Sequence, residues 1–498
     1  MAKIVFVNPS MNFNRSFGRL APFMEPAPCI GLARLATLMK QAGHKVYGVD
    51  AYCERLTASE ASEIISNHNP DIVGISCLTA SAPWVKDLIH KLKNLRLSAR
   101  IVLGSLHASL FAEEFILSDG VDVVVHGEGE ETFSELVPKL LSDSKLDDVR
   151  GISFKSNGSM IKTEERPLIA DLDRLPYPDW GIFNYKDYGL LPFVTMGKPA
   201  LMIEGSRGCP YSCSFCALGW LGGKYRMRSI PSIVDEFEYS INNFGAKQIA
   251  FADAMFPLTQ KQGLEFCAEI IKRRLEKKCI WVTETRVDII TRPLVKAMRE
   301  AGCRRILFGI ESGAQAVLNG IGKKIDLEKT IEVIKICREE KLQTCGFFIL
   351  GLPGEDRPAT EETISFALKL PLDLAKFNIA IPYPGSPMYR EALENGRLLH
   401  RNWEDYSCYG SDPNQLPWLP EGRQAKELIS MQKTATRRFY LRPGMILKHI
   451  FIIRTIGLKF MLLGGWILIS EGILGLFQNS SSKNQNCSSK IKKPLIKR

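Results

Sequence analysis

The sequence predicts an α/β protein: an N-terminal doubly wound, Rossmann-like domain, then a partial (β/α)6 TIM-type barrel and a helical C-terminal region. Three observations lead to this prediction. Short apolar runs alternate with amphipathic stretches through residues 1–150, the same rhythm returns from about residue 197, and it stops beyond about residue 400. Because strands buried on both faces of a parallel sheet read as apolar runs separated by helices, each half is expected to contain a parallel sheet.

The first domain is assigned to residues 1–150. A helix is predicted over CIGLARLATLMKQAG, ending at Gly43. Ligands of doubly wound sheets bind at the carboxyl ends of the strands, where this domain has four loops rich in small residues that let a polar ligand approach the backbone. The predicted strands are KIVFVNP, HKVYGVD, PDIVGISC, ARIVLGS and VDVVVHGEG, and the loops are NPSMNF, SCLTAS, GSLHAS and GEGEET.

The remaining chain divides into four predicted segments. Residues 151–195 are a linker with a hairpin around Asn157-Gly158. Residues 196–400 form the barrel, whose active site is expected at the C-terminal strand ends. Residues 401–478 are helical in period, and residues 479–498 form a basic disordered tail. The six predicted barrel strands are ALMIEGSRGC, QIAFADA, CIWVTETRVD, RRILFGIESG, QTCGFFILGLPGE and AKFNIAIPYPG.

Composition limits the class of protein. The chain has 498 residues, enough for about three units, and its 45% hydrophobic and 24% charged residues are typical of globular proteins. The net charge of +11 includes six basic residues in the last twenty, which contain no acidic residue. Such a tail is typical of a solvated end, so we expect no nucleic-acid partner; contact with an anionic membrane or RNA is the alternative.

Cysteine usage and the N terminus predict a cytoplasmic location. The 13 cysteines are odd in number and spread along the chain. The opening MAKIVFVNP reads as a buried strand rather than as a charged leader followed by a long apolar run. A disulfide framework is therefore not expected, and a reducing compartment fits better.

Three cysteines differ from the others in their spacing. Cys209, Cys213 and Cys216 lie in RGCPYSCSFCALG, in a loop after the first barrel strand. Zinc is the competing interpretation, but structural zinc usually takes four ligands, and no second Cys or His pair lies nearby in the sequence. Three thiolates can instead hold three irons of a [4Fe–4S] cluster and leave the fourth iron open to a substrate or cofactor.

The segment CPYSCSFC resembles the signature of the radical S-adenosylmethionine (SAM) superfamily, which has an aromatic residue, here Phe215, before the last cysteine. The resemblance implies that SAM binds the open iron and is cleaved reductively to a 5′-deoxyadenosyl radical. It also implies that Phe215 lies near the adenine.

Two further strand ends resemble SAM contacts of the superfamily. Asp253 in FADAMF matches the first position of a paired-acid motif, whose second position is Ala254 in this chain. Glu284 and Arg286 in TETRVD end a strand, and a charge pair there suits a zwitterion or a ribose. A structural ion pair at the barrel rim is the alternative.

The next two strand ends complete the resemblance. Glu311 and Ser312 in GIESG resemble a cofactor-binding turn. Gly351 lies in GFFILGLPGE, which resembles a glycine-rich motif that packs against the adenine, although its glycines could serve only the turn.

Residues 3–140 resemble the cobalamin-binding domain of the B12-dependent radical enzymes. The resemblance rests on PCIGLARLATLMKQAGHKVYGVD, PDIVGIS, IVLGSLHAS and VDVVVHGEGEETFSEL, and a dinucleotide fingerprint G-x-G-x-x-G is missing after the first strand. It implies that cobalamin binds at the strand-end loops. The implied cobalamin contacts are Ser76, Thr79, Gly104, Ser105, His107, Ala108, Gly127, Glu128, Gly129 and Glu130.

No histidine has the D-x-H-x-x-G context through which many B12 proteins bind cobalt. Val124 stands where the aspartate would precede His126. His107 is expected at a loop or at the edge of the cofactor rather than on the cobalt. We therefore predict cobalamin with its base tail displaced (base-off) and no histidine ligand.

The two resemblances together imply an enzyme. Its radical would abstract hydrogen from an unactivated carbon, and methylcobalamin would deliver a methyl group to that carbon. The alternative is a non-methylating cyclisation or rearrangement of a hydrophobic, porphyrin-like or hopanoid-like substrate, and a non-catalytic sensor is a more remote one. The implied partners are a small-molecule substrate and an electron donor such as flavodoxin or ferredoxin.

Residues 451–477 are strongly apolar, but their longest uncharged run, residues 460–470, has 11 residues. A bilayer span needs about 20 residues. The segment is predicted to be an amphipathic helix that caps the barrel. The alternative is an interfacial anchor, assisted by the basic tail, that would add contact of residues 451–498 with the inner face of the membrane.

Overall fold

A computed structural model describes residues 1–190, 194–221, 223–409 and 412–447. The chain divides into two units, Met1–Phe439 and Tyr440–Arg498, and the account below concerns the first. The apolar segment 451–477 and the basic tail 479–498 lie outside the described residues, so what is predicted for them stays a prediction. Among the described residues, no helix is both long and apolar enough to cross a membrane.

The first sheet has five parallel strands and an antiparallel hairpin, in the order β2-β1-β3-β4-β5-β6-β7. The strand order of its parallel part is that of a doubly wound sheet, so the predicted fold class of this domain is confirmed. The strands are β1 (Lys3–Asn8), β2 (Lys45–Asp50), β3 (Ile72–Ser76), β4 (Arg100–Gly104), β5 (Val123–Val125), β6 (Ile152–Ser156) and β7 (Ser159–Lys162).

The hairpin predicted in the linker is part of this first sheet. β6 pairs antiparallel with β5, and β7 pairs with β6 across the turn at Asn157 and Gly158. Both turn residues have positive φ, 49° and 83°, as a tight two-residue hairpin requires. The segment 151–195 therefore extends the first sheet before it crosses to the barrel.

The helices of the first domain pack on this sheet through apolar stripes. In Ala82–Asn94 the buried side chains Val85, Leu88, Ile89 and Leu92 recur at helical spacing. The helices are α1 (Phe13–Phe17), α2 (Ile30–Gln41), α3 (Ala51–Glu54), α4 (Ala58–Asn67), α5 (Ala82–Asn94), α6 (Leu106–Leu110), α7 (Ala112–Glu114) and α8 (Gly129–Leu141).

The second sheet contains all six predicted barrel strands, parallel and in chain order. It is the partial barrel that the sequence predicts, and a two-residue ribbon, β9 with β10, flanks the cysteine loop. The strands are β8 (Ala200–Ile203), β9 (Ser206–Arg207), β10 (Arg226–Met227), β11 (Gln248–Phe251), β12 (Ile280–Thr285), β13 (Cys303–Glu311), β14 (Gln343–Leu350) and β15 (Leu374–Ile379).

One face of the second sheet is covered by helices. Phe348 and Phe377 stack on this face with ring centroids 5.3 Å apart, and Phe377 meets Phe439 of the last helix. The opposite face lines the barrel interior, which we call the lumen. The helices are α9 (Leu218–Leu221), α10 (Ile230–Phe244), α11 (Gln260–Lys272), α12 (Arg292–Glu300), α13 (Gln315–Gly320), α14 (Leu327–Glu339), α15 (Arg357–Lys369), α16 (Pro387–Glu394) and α17 (Ala425–Tyr440).

Candidate functional site

The three cysteines of the C-x3-C-x2-C motif lie on the loop between β9 and α9, and none of the three forms a disulfide. The loop is held by backbone bonds. Cys216 N donates to Cys213 O at 3.1 Å, Ser214 N donates to Ile321 O at 2.9 Å, and Ser214 O accepts from Met388 N at 3.0 Å. The end of α13 and the first turn of α16 therefore fix the cysteine loop at the carboxyl end of the sheet.

The surroundings of the cysteines fit an iron–sulfur cluster. Burial raises the pKa of the Cys209 and Cys213 thiols. The nearby charges of Lys323 and Arg286 oppose this rise but do not reverse it. Across the described ranges, no three His, Cys, Asp or Glu side chains converge as a single metal ion requires. A four-iron cluster does not need that convergence, because each thiolate binds a different iron, and neighbouring cations suit a cluster of anionic thiolates.

Arg286 forms its ion pair with Asp288 and not with Glu284. Its Nη2 lies 2.9 Å from Asp288 Oδ2 and donates to Lys324 O at 2.8 Å. Its guanidinium carbon lies 3.8 Å from the centroid of the Tyr211 ring, which belongs to the cysteine loop. The ion pair of Arg286 is thus structural, and the side chain supports the cysteine loop.

Two predicted SAM contacts are carboxyls with raised pKa. Burial raises the pKa of Asp253 to about 7, although hydrogen bonds from Ser206 and from Gly205 N (2.8 Å) oppose the shift. Glu284 is accessible to solvent, but it lies inside the partial barrel, where the surrounding protein shields it from bulk water. This burial, together with the charge of Glu311, raises its pKa to about 7. Asp253 therefore holds the turn before the cysteines, whereas Glu284 faces the lumen.

The turn after β13 contains a buried ion pair. Glu311 has φ 65° at a bulge, and its Oε1 lies 2.8 Å from Lys323 Nζ. A Cβ at Gly309 would lie 2.6 Å from that carboxylate oxygen, so a larger residue there would displace the ion pair. Ser312 is fully buried, and its hydroxyl is hydrogen-bonded to Thr363 Oγ1 at 2.9 Å. The Ser312 side chain therefore stabilises the turn and does not reach the lumen.

The remaining predicted SAM contacts occupy different surroundings. Phe215 is half-buried on the cysteine loop. Gly351 follows β14 with φ 79°, and a Cβ there would lie 3.1 Å from Leu428 of α17. The glycine-rich motif thus serves the packing of α17 as well as the strand end.

The predicted cobalamin contacts cluster at the carboxyl edge of the first sheet, after β3, β4 and β5. Ser105 and Gly127 have positive φ, 78° and 67°, in two of these loops. No atom lies within 4 Å of a Cβ built at Gly104 or Gly127, so these loops leave open space beside the backbone. The residues predicted to contact cobalamin in these loops are Ser76, Thr79, Gly104, Ser105, His107, Ala108, Gly127, Glu128, Gly129 and Glu130.

His107 lies in an aromatic cluster. Its ring is fully buried, with centroids 4.6 Å from Phe111 and 5.0 Å from Trp403. Neither ring nitrogen has a hydrogen-bond partner among the described residues, and burial lowers its pKa to about 4. His107 is therefore neutral near pH 7 and joins the first domain to the segment after α16.

Glu128 and Glu130 form ion pairs with the barrel. Arg207, two residues before Cys209, pairs with Glu130 and lies 3.2 Å from Glu128 Oε1. Glu128 also lies 2.8 Å from Arg226 Nη2. These bonds run from the predicted cobalamin loop to the β9–β10 ribbon beside the cysteines, so both carboxylates are already occupied by arginine.

The network around Arg207 was not predicted from the sequence. Its Nε lies 3.0 Å from Glu204 Oε2, and Glu204 also pairs with Arg34 of α2. Arg34 is 1% exposed. Two sequence signals point to this network: Arg207 lies beside the cysteine motif, and Glu204 follows a strand. Nothing in the sequence indicates that Arg34 joins them.

The protein-family comparison matches two models. The radical SAM superfamily model matches residues 203–367, and the B12-binding domain model matches residues 20–137. The first match spans β9 to β14 of the barrel region with the cysteine loop, and the second spans β2 to β5 of the first sheet with the strand-end loops described above.

Curated relatives cover most of the chain. An uncharacterized methyltransferase of Pyrococcus horikoshii is 35% identical over 430 residues, which are 85% of this chain and 90% of the relative. An anaerobic magnesium-protoporphyrin IX monomethyl ester cyclase of Cereibacter sphaeroides is 30% identical over 450 residues, covering 89% and 71% of the two chains.

A solved structure shares the fold. The radical SAM methyltransferase TsrM of Kitasatospora setae, determined with cobalamin and a [4Fe–4S] cluster bound, superposes with a TM-score of 0.64 at 18% identity. The match covers 79% of this chain and 78% of the other.

Proposed function

The chain belongs to the family of radical SAM enzymes with an N-terminal B12-binding domain, and from this premise we propose that it methylates an unactivated carbon of a small molecule. When bound, the [4Fe–4S] cluster and SAM supply a 5′-deoxyadenosyl radical, and cobalamin supplies the methyl group. The observation that carries the proposal is the ionic connection through Arg207. It joins the β9–β10 ribbon beside the cysteines to the strand-end loop of Glu128 and Glu130, so two regions that would each hold a cofactor are held at one junction.

The residues divide the work. Cys209, Cys213 and Cys216 would hold the cluster, and Arg286 would support their loop from the Tyr211 side. Glu284 would present a carboxyl to the lumen, in either protonation state near pH 7. Of the predicted SAM contacts, Phe215, Glu284, Glu311 and Gly351 are proposed to contact SAM directly. Asp253, Arg286 and Ser312 would act by positioning the turns and the cysteine loop around it.

The loops of the first domain would hold the cobalamin base-off, without a histidine on cobalt. Two observations support this. His107 is enclosed by aromatic rings, and His126 Nε2 is hydrogen-bonded to Ser153 Oγ at 2.7 Å. The open backbone at Gly104 and Gly127 would admit the cofactor, whereas Glu128 and Glu130 would act by holding the loop.

The test uses anaerobic, reconstituted full-length protein with SAM labelled in its methyl group and a chemical reductant. Expected products are 5′-deoxyadenosine and labelled methylcobalamin. Cys213→Ala should abolish the first product, and Cys267→Ala, which changes a buried cysteine of α11, is the matched control. A full cluster and unchanged 5′-deoxyadenosine in Cys213→Ala would refute the assignment.

Cyclisation without methylation is the second candidate, because the Cereibacter sphaeroides cyclase is 30% identical. The two functions differ in one readout. A methyltransferase places the label of SAM in cobalamin and then in the product, whereas a cyclase consumes SAM to 5′-deoxyadenosine and leaves the product unlabelled. Label that never enters cobalamin would favour the cyclase.

Reduction by flavodoxin or ferredoxin and peripheral contact of residues 451–498 with membrane belong to the same proposal. Each purified donor can replace the chemical reductant, and 5′-deoxyadenosine should still form. Co-sedimentation of the full chain with anionic vesicles, compared with a chain ending at residue 450, tests the membrane contact. Equal sedimentation of the two chains would refute it.

A further inference from the structure

Lys376 on β15 is a cation on the lumen face of the second sheet. Paired residues of adjacent strands share a face, and the register aligns Lys376 with Phe347 of β14. Phe347 lies two residues from Cys345 on the same strand and so shares its face. Cys345 pairs with Leu307 of β13, and Leu307 pairs with Glu284 of β12. The alternation of strand side chains therefore places Lys376, Phe347 and Glu284 on one face, opposite the helices.

The ammonium of Lys376 has aromatic neighbours but no anionic one. Its Nζ lies 3.5 Å from the centroid of the Tyr409 ring and 5.8 Å from that of Phe347. Within the described ranges it makes no hydrogen bond or ion pair. Two cations near the cysteine loop are paired: Lys323 with Glu311 and Arg286 with Asp288. Arg305, on the lumen face of β13, donates to Gln343 Oε1 at 2.6 Å.

Tyr409 connects this lysine to the first domain. Its ring centroid lies 5.1 Å from that of Phe17, which is buried with Ala21 and Met24 in the segment after β1. Asn378, two residues beyond Lys376 on the same face, has a buried Oδ1 without a hydrogen-bond partner in the described part of the chain. Lys376 and Asn378 thus place two polar groups, unsatisfied by any described residue, on the lumen face of β15.

An ammonium held among aromatic rings without an anion is costly, because burial disfavours the charge. Burial lowers the pKa of Lys376, and the nearby Cys408 and Cys345 thiols and the Glu284 carboxyl act against that shift. A ligand anion would restore a charge-assisted hydrogen bond.

We propose that Lys376 binds an anionic group of the substrate, a carboxylate or a phosphonate-type oxyanion, between the rings of Tyr409 and Phe347. This inference rests on the proposed function for the identity of the ligand as substrate. It selects acidic molecules over neutral lipids, and it orients the substrate in the lumen with its acidic end toward β15.

The experiment measures the reactivity of individual lysines in the anaerobic, cluster-loaded and cobalamin-loaded full chain. A trace of isotope-labelled acetic anhydride modifies free amines, and mass spectrometry quantifies each peptide. A bound anion raises the amine pKa, and each pKa unit lowers the free-amine fraction about tenfold. The paired probes are propionate against propionamide, and methylphosphonate against its dimethyl ester. Lys261, with a side chain 85% exposed, is the internal reference.

Labelling of Lys376 should fall about tenfold with a saturating anionic probe, stay unchanged with its neutral partner, and leave Lys261 unaffected. The anion that protects distinguishes a carboxylate site from an oxyanion site. Equal effects of an anion and its neutral partner would overturn the proposal. Protection by SAM alone to the same extent would also overturn it, because the lysine would then serve the SAM carboxylate.

The proposed function is tested separately by the formation of labelled methylcobalamin from methyl-labelled SAM in the wild-type protein. Protein that fails to form this product but shows anion protection would keep the anion site and lose the proposed function. Protein that forms it without anion protection would keep the proposed function and lose the anion site.

Discussion

Arg207 is predicted to stabilise the junction between the two domains. Replacing it by methionine in Arg207→Met keeps an unbranched apolar stem but removes the cation that faces Glu204, Glu128 and Glu130. The side chains of Arg207 and Glu130 are only 14% and 8% exposed, so the charges left behind are poorly solvated.

The magnitude follows from which carboxylates keep another partner. Glu204 retains Arg34 and Glu128 retains Arg226, whereas Glu130 loses the cation it pairs with. Removing one partner of a buried pair costs about 3–5 kcal/mol. With two of the three carboxylates still paired, we expect a loss near the lower end, about 3 kcal/mol of unfolding free energy.

The assay is urea unfolding of the full-length protein, followed by tryptophan fluorescence and linear extrapolation. Arg292→Met is the matched control, because Arg292 also contacts two carboxylates but is 50% exposed. The control should lose at most about 1 kcal/mol. Adding Glu130→Gln to Arg207→Met should recover part of the loss, because the uncompensated charge is removed.

The pH dependence gives an independent check. Although burial raises it, the charges of Arg34 and Arg207 hold the pKa of Glu204 below its ordinary value of 4.5. The stability from this carboxylate is present above pH 4.5 and is lost as the pH falls through the lower pKa. The cost of Arg207→Met should therefore shrink in acid. A loss equal to that of Arg292→Met, or one independent of pH, would refute the reasoning.

Three further predictions concern single positions. His107 has a pKa of about 4 in the folded protein and 6.5 in the unfolded chain, so the fold loses stability as the pH falls from 6.5 to 4. His107→Phe should reduce this loss, measured as the unfolding free energy from urea curves at several pH values. An unchanged dependence of that free energy on pH would contradict the prediction. Glu284 has a pKa of about 7 in the folded protein and 4.5 in the unfolded chain, so it destabilises the ligand-free fold increasingly as the pH rises from 4.5 to 7. Glu284→Gln should therefore raise the unfolding free energy more at pH 8 than at pH 5. Equal gains at the two pH values would show that the surroundings of Glu284 do not disfavour its charge. Gly351→Ala should cost about 1–3 kcal/mol, because its φ of 79° suits glycine and a Cβ meets Leu428 at 3.1 Å; a loss within the error of unfolding curves would contradict the role of this turn.

Local pattern was sufficient for the cysteine motif and for the strands. Cys209, Cys213 and Cys216 are close in sequence and follow a strand, so a turn of eight residues already brings them together. The strand-end position of Glu284 also follows from pattern, because each apolar run ends where polar residues begin. The partner of such a residue cannot be predicted from the local pattern. Arg286 forms an ion pair with Asp288 and Ser312 a hydrogen bond with Thr363, and both contacts depend on the folded geometry of the chain.

The sequence by itself determined the two parallel sheets, the order of their strands along the chain and the thiolate motif, because apolar periodicity and ligand spacing are local properties. The tertiary structure alone decided that Arg34, Glu204 and Arg207 share one buried network, that His107 packs against Trp403, and that Lys376 meets Tyr409. These contacts join residues 3 to 296 positions apart in the chain. Most of them depend on how distant segments of the chain pack against one another, which no local pattern records.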